Sequence, residues 1–510
     1  MLVKTFGCAI VGIDAIIVTI EVNSSKGVQF FLVGLPDNAV KESHQRMMAS
    51  LTNLGYKFPK RCITINMAPA DIRKEGSAYD LALAIGVMAV SEQVDASLLD
   101  KYVIMGELSL DGTLNPIKGV LPMTLKAKQQ GFKGIIIPKA NAKEAGVVAG
   151  IDVIGVENLK QVVDFLNGTF PVEPERIDME SLEREEFYPF DFQDVKGQEN
   201  IKRALEIAAA GSHNVLLIGS PGSGKTMLAK RLPSILPPMT LSEALETTKI
   251  HSVAGLLGRN QTLMMTRPFR SPHHSISDAG LCGGGSFPQP GEISLAHNGV
   301  LFLDEVPEIQ RHTLEILRQP MEDRVITISR AKMSVQFPAN FMLVAAMNPC
   351  PCGYYNHPDR ECVCKPGEVQ KYLNKISGPL MDRIDLHVEV LPVPYNKLSD
   401  SRRGEPSAEI RKRVVKARKI QEERYRDYPE IHSNAQMTSK LLQKYCVLDT
   451  AGQEALRNAM RRLGLSARAY DRILKVARTI ADLDGSEQIR HDHLAEAINY
   501  RSLDRDNWGS

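Results

Sequence analysis

The first third of the chain alternates strand and helix periodicities. AIIVTIEV alternates apolar and polar positions, SSKG follows as a turn, and VQFFLVGL resumes the strand pattern. Asp37 then predicts the N-cap of a helix that runs toward Leu54. The apolar stretches ITINMAP, VIMGELSL and GIIIP follow, with a further helix predicted from about Tyr79. The pattern therefore predicts an α/β domain over residues 1–167.

The remainder of the chain divides into a linker, a second α/β region and a helical region. Residues 168–190 contain many acids and three prolines with little periodicity, which is typical of a linker. Residues 191–392 resume the alternation of buried strands and helices. Residues 393–510 have an almost wholly helical pattern. We therefore predict an α/β fold class with a C-terminal helical domain that serves as a lid.

Composition and charge narrow the class of protein. The 510 residues are 43% hydrophobic and 24% charged, as in ordinary globular proteins, and the formal net charge is +2. This balance gives no global basic field, so nucleic-acid binding would require locally placed Lys and Arg. The N-terminus lacks a signal-peptide pattern, and the longest apolar run, Leu81–Val90, is too short to span a bilayer. We expect a cytoplasmic protein with no membrane partner.

A glycine-rich segment follows the first strand predicted in the second α/β region. Val215–Ile218 predict a buried strand, and a helix pattern follows the segment. The segment fits the phosphate-loop pattern with Gly219, Ser220, Pro221, Gly222, Ser223, Gly224, Lys225 and Thr226. Its backbone N–H groups and the helix N-terminus can cradle phosphates. Lys225 is expected to reach the β- and γ-phosphates of ATP and Thr226 to ligate Mg²⁺, whereas a chance glycine-rich loop is the weak alternative.

Two later strands end in residues that suit nucleotide hydrolysis. GVLFLDEVPE ends its apolar stretch in Asp304 and Glu305. Asp304 is placed to hold the magnesium through water, and Glu305 to orient the attacking water. FMLVAAMNP ends in Asn348, whose amide can hydrogen-bond the same water. The alternative for Asn348 is a turn-forming residue before Pro349.

In this order the motifs resemble those of the AAA+ ATPases, which bind nucleotide between the subunits of a ring. SGPLMDRIDLH resembles the segment that carries the arginine finger in relatives of the magnesium chelatases and the MCM helicases. The resemblance implies that Arg383 stabilises γ-phosphate charge in the neighbouring subunit, whereas an intrachain pair with Asp382 or Asp385 is the alternative. GLSARAYDRILKVARTIADLDG resembles the helix of the second sensor, for which Arg468 fits best and Arg472 is the second choice.

Two insertions are typical of one AAA+ subtype. VITISRAKMSVQFPA predicts a β-hairpin with Arg330 and Lys332 near its tip, which resembles the pre-sensor-1 hairpin of magnesium chelatases and MCM-like helicases. In rings of that kind the hairpin points into the pore, which implies a grip on a DNA backbone; a solvated hairpin is the alternative. The other insertion is rich in Gly, Pro, Ser and His, and its paired His273 and His274 are weak candidates for metal ligands.

Four of the eight cysteines lie in one short segment, NPCPCGYYNHPDRECVC. They form two C-x-C pairs about ten residues apart, and four thiolates on a short loop suit a tetrahedral Zn²⁺ site. We predict a structural zinc that braces the adjacent sensor strand, with His357 as a spare ligand. Labile disulfides and four free thiols are the alternatives. The predicted ligands are Cys350, Cys352, Cys362 and Cys364.

The N-terminal domain resembles the proteolytic domain of Lon and the related domain of RadA. The matching pieces are ITINMAPADIRKEGSAYDLALAI and MGELSLDGTLNPIKGVLPMTLKAKQQGFKGIIIP. Aligned through Gly76, the serine nucleophile of Lon falls on Ala78, with Ser77 one place away, and the lysine base falls on Leu121. Without a lysine amine the hydroxyl of Ser77 has no general base. The nearby Lys118 lies three residues before Leu121. The resemblance implies an inactive peptidase fold, with Ser77 a helix-start residue.

The order of these parts resembles the ComM/YifB family of magnesium chelatase-like proteins, and GEISLAHNGVLFLDE is highly characteristic of it. The resemblance implies a hexameric DNA motor that uses ATP and Mg²⁺ to drive branch migration during natural transformation. Its implied partners are single-stranded DNA, branched DNA and further copies of the chain. A chelatase-like ATPase that remodels a protein partner is the alternative. A Lon-type protease lacks its lysine, and a non-enzymatic adaptor would have lost Lys225, Glu305 or Arg383.

Overall fold

The computed structural model describes residues 1–177, 188–258, 261–285, 288–330, 333–393 and 404–501. The chain forms two compact units. The first unit comprises Met1–Glu185 and Leu241–Met265, and the second comprises Glu186–Thr240 and Thr266–Ser510. Residues 178–187 of the predicted linker lie outside the described residues. The domain boundaries inferred from the sequence stay a prediction.

Strands and helices are numbered along the chain. The strands are β1 Leu2–Val11, β2 Asp14–Ser25, β3 Phe30–Val33, β4 Cys62–Ala68, β5 Tyr102–Ile104, β6 Glu107–Leu108, β7 Leu114–Asn115, β8 Gly134–Pro138, β9 Asp152–Val156, β10 Val215–Ile218, β11 Phe269–Arg270, β12 Gly283–Gly284, β13 Gln289–Pro290, β14 Val300–Leu303, β15 Val325–Arg330, β16 Met333–Pro338, β17 Met342–Met347 and β18 Leu386–Glu389. The helices are α1 Asn38–Asn53, α2 Asp80–Val90, α3 Val120–Gln129, α4 Ala142–Ala145, α5 Leu159–Leu166, α6 Glu199–Gly211, α7 Lys225–Arg231, α8 Leu241–Ala254, α9 Asp278–Cys282, α10 Glu292–Leu295, α11 Arg311–Ile316, α12 Arg318–Asp323, α13 Glu368–Leu373, α14 Gly378–Met381, α15 Ser407–Arg424, α16 Ser439–Tyr445, α17 Thr450–Leu463, α18 Ala467–Leu483 and α19 His491–Asn499.

The first unit contains a seven-stranded mixed sheet in the order β3-β4-β2-β1-β5-β8-β9. β1 pairs antiparallel with β2 over the whole length of β1, whereas β5, β8 and β9 pair parallel. The predicted start of α1 is confirmed, because Asp37 Oδ1 accepts a hydrogen bond from the Val40 N–H at 2.7 Å. Every residue of α2 is buried, so this helix forms the centre of the core.

Helix α8 belongs to the first unit although its sequence follows the phosphate loop. Its Ser252 hydroxyl donates to Glu144 Oε1 at 2.5 Å, and its Lys249 Nζ lies 2.7 Å from Asp14 Oδ1. Glu144 is buried, and burial raises its pKa although the hydrogen bonds from Ser252 and the Leu121 N–H oppose that rise. The first unit therefore takes one of its helices from the middle of the chain.

The second unit contains a five-stranded parallel sheet in the order β11-β14-β17-β10-β18. The C-terminal helices pack with α6 and the sheet into one apolar core, which includes Leu205, Val344, Ile410 and Ile473. The predicted mixed α/β fold class with a helical C-terminal region is confirmed. No helix in the described part of the chain has the length and apolar character needed to cross a membrane. Because the carboxyl ends of parallel strands meet at one edge, the loops after β10, β14 and β17 are neighbours.

Candidate nucleotide-binding site

The predicted phosphate loop follows β10 directly and leads into α7. All four residues of β10 are buried, and α7 begins at Lys225. Gly222 and Gly224 have φ angles of +79° and +95°, in the left-handed region that glycine adopts without steric cost. A Cβ atom at Gly219 would lie 2.3 Å from the Val390 carbonyl oxygen, so a larger residue does not fit there. The segment therefore has the strand, loop and helix context that the motif requires.

Lys225 lies at the centre of the candidate site. Its Nζ donates to the carbonyl oxygens of Gly219 at 2.7 Å and Ser220 at 3.1 Å, and to Asn348 Oδ1 at 3.1 Å. Burial lowers the pKa of Lys225, and the negative charges of Asp304 and Glu305 oppose that shift. The ammonium group thus joins the phosphate loop to the end of β17, two segments that are more than a hundred residues apart in the sequence.

Asp304 follows β14 and faces the first turn of α7. Thr226 Oγ1 donates to Asp304 Oδ2 at 2.7 Å, and the Glu305 N–H donates to Asp304 Oδ1 at 2.9 Å. A hydroxyl and a carboxylate at this spacing are the oxygen ligands that Mg²⁺ uses beside a phosphate. The structure therefore brings together the two residues that the sequence predicted as magnesium ligands.

Asn348 follows β17, the strand that lies between β14 and β10 in the sheet. Its side-chain Oδ1 accepts a hydrogen bond from Lys225, and its backbone acts to lower the pKa of the Tyr372 hydroxyl. Tyr372 is buried, and burial raises the pKa of its hydroxyl. No sequence pattern pointed to Tyr372, which lies in the short helix α13 beyond the cysteines.

Glu305 has a backbone conformation that is rare for its residue type. Its φ angle is +49°, in the left-handed region that costs a residue with a Cβ atom about 1–2 kcal/mol. Its side chain is 53% exposed, and its Oε2 lies 3.2 Å from Nδ1 of His274. The paired histidines of the insertion were noted in the sequence only as weak metal candidates. Among the described residues, the groups that could hold a metal include neither His273 nor His274.

Arg383 makes its contacts within its own chain. Its Nη2 lies 2.7 Å from Glu322 Oε1, and its Nη1 donates to the Pro379 carbonyl oxygen at 2.6 Å. The side chain is 6% exposed. The intrachain alternative named two aspartates, whereas the partner in the structure is Glu322. A finger that acts on a neighbouring subunit therefore has to leave Glu322 first, and that function of Arg383 stays a prediction.

The two candidate sensor arginines of α18 have different surroundings. Arg468 is 59% exposed, and its Nη1 lies 3.9 Å from Asp382 Oδ2. Arg472 is 19% exposed, and its Nη1 lies 3.1 Å from Oδ1 of the buried Asp385. Arg468 is thus free to reach a ligand, whereas Arg472 is engaged in an internal ion pair. The assignment of Arg468 as the sensor stays a prediction.

Asp385 is the centre of a buried polar group that the sequence did not reveal. It accepts a hydrogen bond from the Asn214 N–H at 2.9 Å, and its Oδ2 lies 3.4 Å from Nδ1 of His213. Burial acts to raise the pKa of Asp385, but Arg472, His213 and Asn214 outweigh it and hold that pKa below its usual range. This group fastens α18 to the strand end beside Arg383.

The four clustered cysteines converge as the sequence predicted. Their Sγ atoms all lie within 4.8 Å of one another, and none of the four forms a disulfide. The pairs Cys350–Cys352, Cys350–Cys362 and Cys352–Cys362 are separated by 3.3, 3.8 and 3.5 Å. Four sulfurs about 2.3 Å from a tetrahedral zinc ion would be about 3.8 Å apart, so the donor set and its spacing fit zinc.

The cysteine segment touches the phosphate loop. A Cβ atom at Gly353, whose φ angle is +85°, would lie 2.5 Å from Cδ of Pro221. Cys350 is buried and follows Asn348 by two residues. The segment therefore lies against two parts of the candidate site, the loop and the end of β17.

The predicted hairpin is present as β15 and β16, which pair antiparallel from Val325 with Pro338 to Arg330 with Met333. Ile328 and Phe337 on one of its faces are buried. Arg330 ends the first strand, and Lys332 lies outside the described residues. The hairpin is thus confirmed as an element, while DNA contact by Arg330 and Lys332 stays a prediction.

In the first unit, Ser77 has an acidic partner. It begins a short 3₁₀ helix, Ser77–Tyr79, as the sequence predicted, and its hydroxyl donates to Glu107 Oε2. Leu121, at the position of the Lon lysine, is fully buried in α3. The side chain of Lys118 lies against Gly255, beyond the end of α8. The serine therefore bonds to a carboxylate, which cannot serve as the amine base of a Ser-Lys dyad.

Known protein families match the chain along its length. The family model described as magnesium chelatase, subunit ChlI, matches residues 191–398. A second family model, described as subunit ChlI of Mg-chelatase, matches residues 20–141. A third, described as the C-terminal region of magnesium chelatase subunit ChlI, matches residues 404–501. The chain is 46% identical to the competence protein ComM of Haemophilus influenzae, over 98% of this chain and 97% of that protein. The chain belongs to the ComM/YifB family.

Two further relatives bear on the family and on the N-terminal region, respectively. The YifB protein of Salmonella typhimurium is 45% identical over 98% of this chain and 96% of its own length. Lon protease 2 of Bacillus subtilis is 33% identical over 24% of this chain and 22% of its own length. The predicted family and the partial Lon resemblance of the N-terminal region are confirmed. Membership in this magnesium chelatase-like family indicates an ATPase that uses ATP and Mg²⁺.

Proposed function

We propose that this ComM/YifB family member is the subunit of a hexameric, ATP-driven DNA motor. Its task would be branch migration that promotes integration of incoming DNA during natural transformation and recombination, in the cytoplasm. The observation that carries the proposal is the joining of Lys225 to Asn348 and of Thr226 to Asp304, because these contacts assemble a phosphate site and a magnesium site. The relative named as a competence protein supports the DNA part of the proposal.

In the proposed reaction each residue of the site has one task. Lys225 binds the β- and γ-phosphates of ATP, and Thr226 and Asp304 hold the magnesium that screens their charge. Glu305 orients the attacking water, and Asn348 hydrogen-bonds it. Across the subunit interface Arg383 stabilises the transition-state charge, and Arg468 reports the state of the nucleotide in its own subunit. The phosphate loop from Gly219 to Gly224 supplies backbone N–H groups.

A structural zinc ion is part of the proposal. The cysteine cluster supplies four thiolates, and the contact of Gly353 with Pro221 places that cluster beside the phosphate loop. A metal there would hold the loop and the end of β17 at a fixed separation, because both segments contact the cysteine segment. Loss of the metal is therefore expected to weaken nucleotide binding as well as to loosen the cysteine segment.

DNA contact is proposed for the tip of the hairpin. Six copies of Arg330 and Lys332 would bring about twelve cations near one or two phosphate backbones, so binding should weaken steeply with salt. Replacing both residues with Ala is expected to weaken DNA binding and to flatten the slope of log Kd against log salt concentration. Lys412→Ala with Lys416→Ala, which removes two exposed cations from α15, is the charge-matched control. Equal salt slopes for the two double variants would refute the hairpin contact.

The test of the proposed function is ATPase activity with no DNA, with single-stranded DNA and with branched DNA. We expect hydrolysis by the parent and faster hydrolysis with DNA, and we expect displacement of strands from a branched substrate. Glu305→Gln is the control, because it should remove hydrolysis in all three conditions. Hydrolysis that no DNA stimulates would exclude the DNA motor and favour a chelatase-like ATPase that remodels a protein partner.

A further inference from the structure

A pocket rich in cations lies between the short 3₁₀ helix that follows β14 and the helix α13. Its volume is about 440 Å³, and its charged side chains are those of Arg311, Lys371, Lys375 and Glu308. Arg311 and Lys371 are exposed, and neither forms an ion pair with another residue in the described part of the chain. Lys375 Nζ lies 3.3 Å from Glu308 Oε1, so three positive charges share one negative charge. This cationic pocket therefore attracts an acidic group.

The cationic pocket adjoins the place where the proposed reaction occurs. The Glu308 N–H donates to the carbonyl oxygen of Glu305 at 2.7 Å. Lys375 Nζ lies 5.6 Å from the ring centroid of Tyr372, the buried residue of α13. Burial does most to raise the pKa of Tyr372, the charges of Glu308 and Glu305 add to that rise, and the backbone of Asn348 opposes it. The pocket is therefore next to the ends of β14 and β17, where the γ-phosphate of ATP is expected.

The proposed arginine finger has an acid beside it. Nη2 of Arg383 lies 2.7 Å from Oε1 of Glu322, which belongs to α12. Glu322 is 48% exposed, and Asp323, the next residue, is exposed as well. When Arg383 reaches the γ-phosphate of a neighbouring copy, Glu322 loses its cation. A carboxylate that enters an interface without a cation is costly, so Glu322 then requires a new partner.

We propose that the cationic pocket receives Glu322 of the neighbouring copy when Arg383 of that copy enters the nucleotide site. The inference rests on the proposed ring, in which Arg383 acts between subunits. Because the pocket lies beside the reacting edge and Glu322 lies beside Arg383, the movement that delivers the finger carries the acid toward the pocket. Arg383 exchanges a carboxylate for a phosphate, and Glu322 exchanges Arg383 for Lys371 and its neighbours. No charge is then left unpaired at the interface.

The test is a charge reversal across the proposed contact. Lys371→Glu, Glu322→Lys and the double variant are compared with the parent, and Lys416→Glu is the control at another exposed lysine. Assembly is measured by analytical ultracentrifugation with ATP and Mg²⁺, and steady-state ATPase activity is measured over a range of protein concentrations. Lys371→Glu should raise the concentration that gives half-maximal activity about five- to tenfold, because the pocket then repels the acid. Lys416→Glu should match the parent.

The double variant decides whether the two residues meet. Each interface takes the pocket from one copy and residue 322 from the next, so reversal of both charges restores the attraction. We expect assembly of the double variant to return to within about twofold of the parent, whereas Glu322→Lys alone assembles poorly. Loss of the pair between Glu322 and Arg383 is common to Glu322→Lys and the double variant. That loss therefore does not account for a recovery in the double variant.

The outcomes separate this inference from the proposed function. A parent that neither assembles nor hydrolyses ATP would refute the proposed function. If the parent does both, parental assembly of Lys371→Glu overturns the inference, as does a double variant that assembles no better than Glu322→Lys. Normal assembly of Lys371→Glu with weaker binding of single-stranded DNA would assign the pocket to DNA phosphates, which also overturns the contact between copies.

Discussion

Replacing Arg472 with Met separates the two arginines that compete for the sensor position on α18. Arg472 pairs with the buried Asp385 at 3.1 Å, whereas Arg468 is mostly exposed and lies 3.9 Å from Asp382. Methionine keeps much of the apolar stem of arginine and removes the charge. In Arg472→Met the carboxylate of Asp385 therefore stays buried without its cationic partner. In Arg468→Met, the matched control on the same helix, no buried charge is left behind.

The size of the effect follows from burial. Removing one partner of a buried ion pair costs about 3–5 kcal/mol, because the remaining charge is uncompensated. Asp385 keeps its contacts with the Asn214 N–H at 2.9 Å and the His213 ring at 3.4 Å. We therefore expect the lower end of that range, about 3 kcal/mol. At roughly 2–4 °C per kcal/mol, Tm of the second unit should fall by about 6–12 °C. Arg468→Met should lower Tm by no more than about 4 °C, since exposed pairs contribute about 0–1 kcal/mol.

The difference in Tm between Arg472→Met and the parent should depend on pH. In the parent the pKa of Asp385 is held below its usual range, so this group stabilises the fold above its unfolded pKa of about 4 and loses that contribution as pH falls. Without Arg472, the burial of Asp385 raises its pKa toward the protonated form. The penalty should be largest near neutral pH and shrink toward about pH 4, because a protonated acid needs no cation.

Calorimetry of the parent, Arg472→Met and Arg468→Met between about pH 4.5 and pH 7.5 measures the fall in Tm and its dependence on pH. ATPase assays of the same three proteins show whether either arginine is needed for hydrolysis. Equal shifts in Tm for the two variants, or a pH-independent gap for Arg472→Met, would contradict the assignment of the buried pair. An Arg472→Met variant with parental Tm and no hydrolysis would instead make Arg472 the sensor.

The other predictions concern the nucleotide site and the cysteines. Lys225→Ala should lose nucleotide binding, whereas Glu305→Gln should bind nucleotide without hydrolysing it, because only the first removes phosphate-binding charge. Titration with a fluorescent nucleotide measures binding, and equal ATP affinity in Lys225→Ala and the parent would disprove the phosphate-loop assignment. Arg383→Ala should bind nucleotide without hydrolysis, and mixing it with Glu305→Gln should restore part of the activity; mixtures that are inactive at every ratio count against a finger acting between subunits. Elemental analysis should find about one zinc per chain, lost in the double variant Cys350→Ser, Cys352→Ser. Metal-free protein with freely titrating thiols is the result that excludes zinc.

Local sequence patterns were enough to predict the parts of the site that lie next to one another along the chain. The buried run before Gly219 and the helix pattern after Thr226 identify the phosphate loop, because a strand, a glycine-rich turn and a helix each have a local signal. Asp304 and Asn348 follow buried strands directly, and the rule that parallel strands end at one edge brings them near that loop. The convergence of the cysteines follows in the same way from two close pairs.

Contacts between distant segments left no such signal. The pairing of Arg383 with Glu322 and the ion pair of Arg472 with Asp385 join residues whose spacing matches no helix or strand period. The placement of α8 in the first unit has no signal in the sequence, because a buried helix has the same pattern in either unit. Charged and polar partners of this kind are fixed by tertiary packing, which periodicity does not encode.

The cysteine segment holds two parts of the candidate nucleotide site, the phosphate loop and the end of β17. Pro221 touches the cysteine segment through the backbone at Gly353, a contact that can move only if the whole segment moves. With zinc in the cysteine cluster, the phosphate loop would stay at a fixed place beside the end of β17. A variant of the cysteines should therefore lower the affinity for ATP, because the phosphate loop would lose that support.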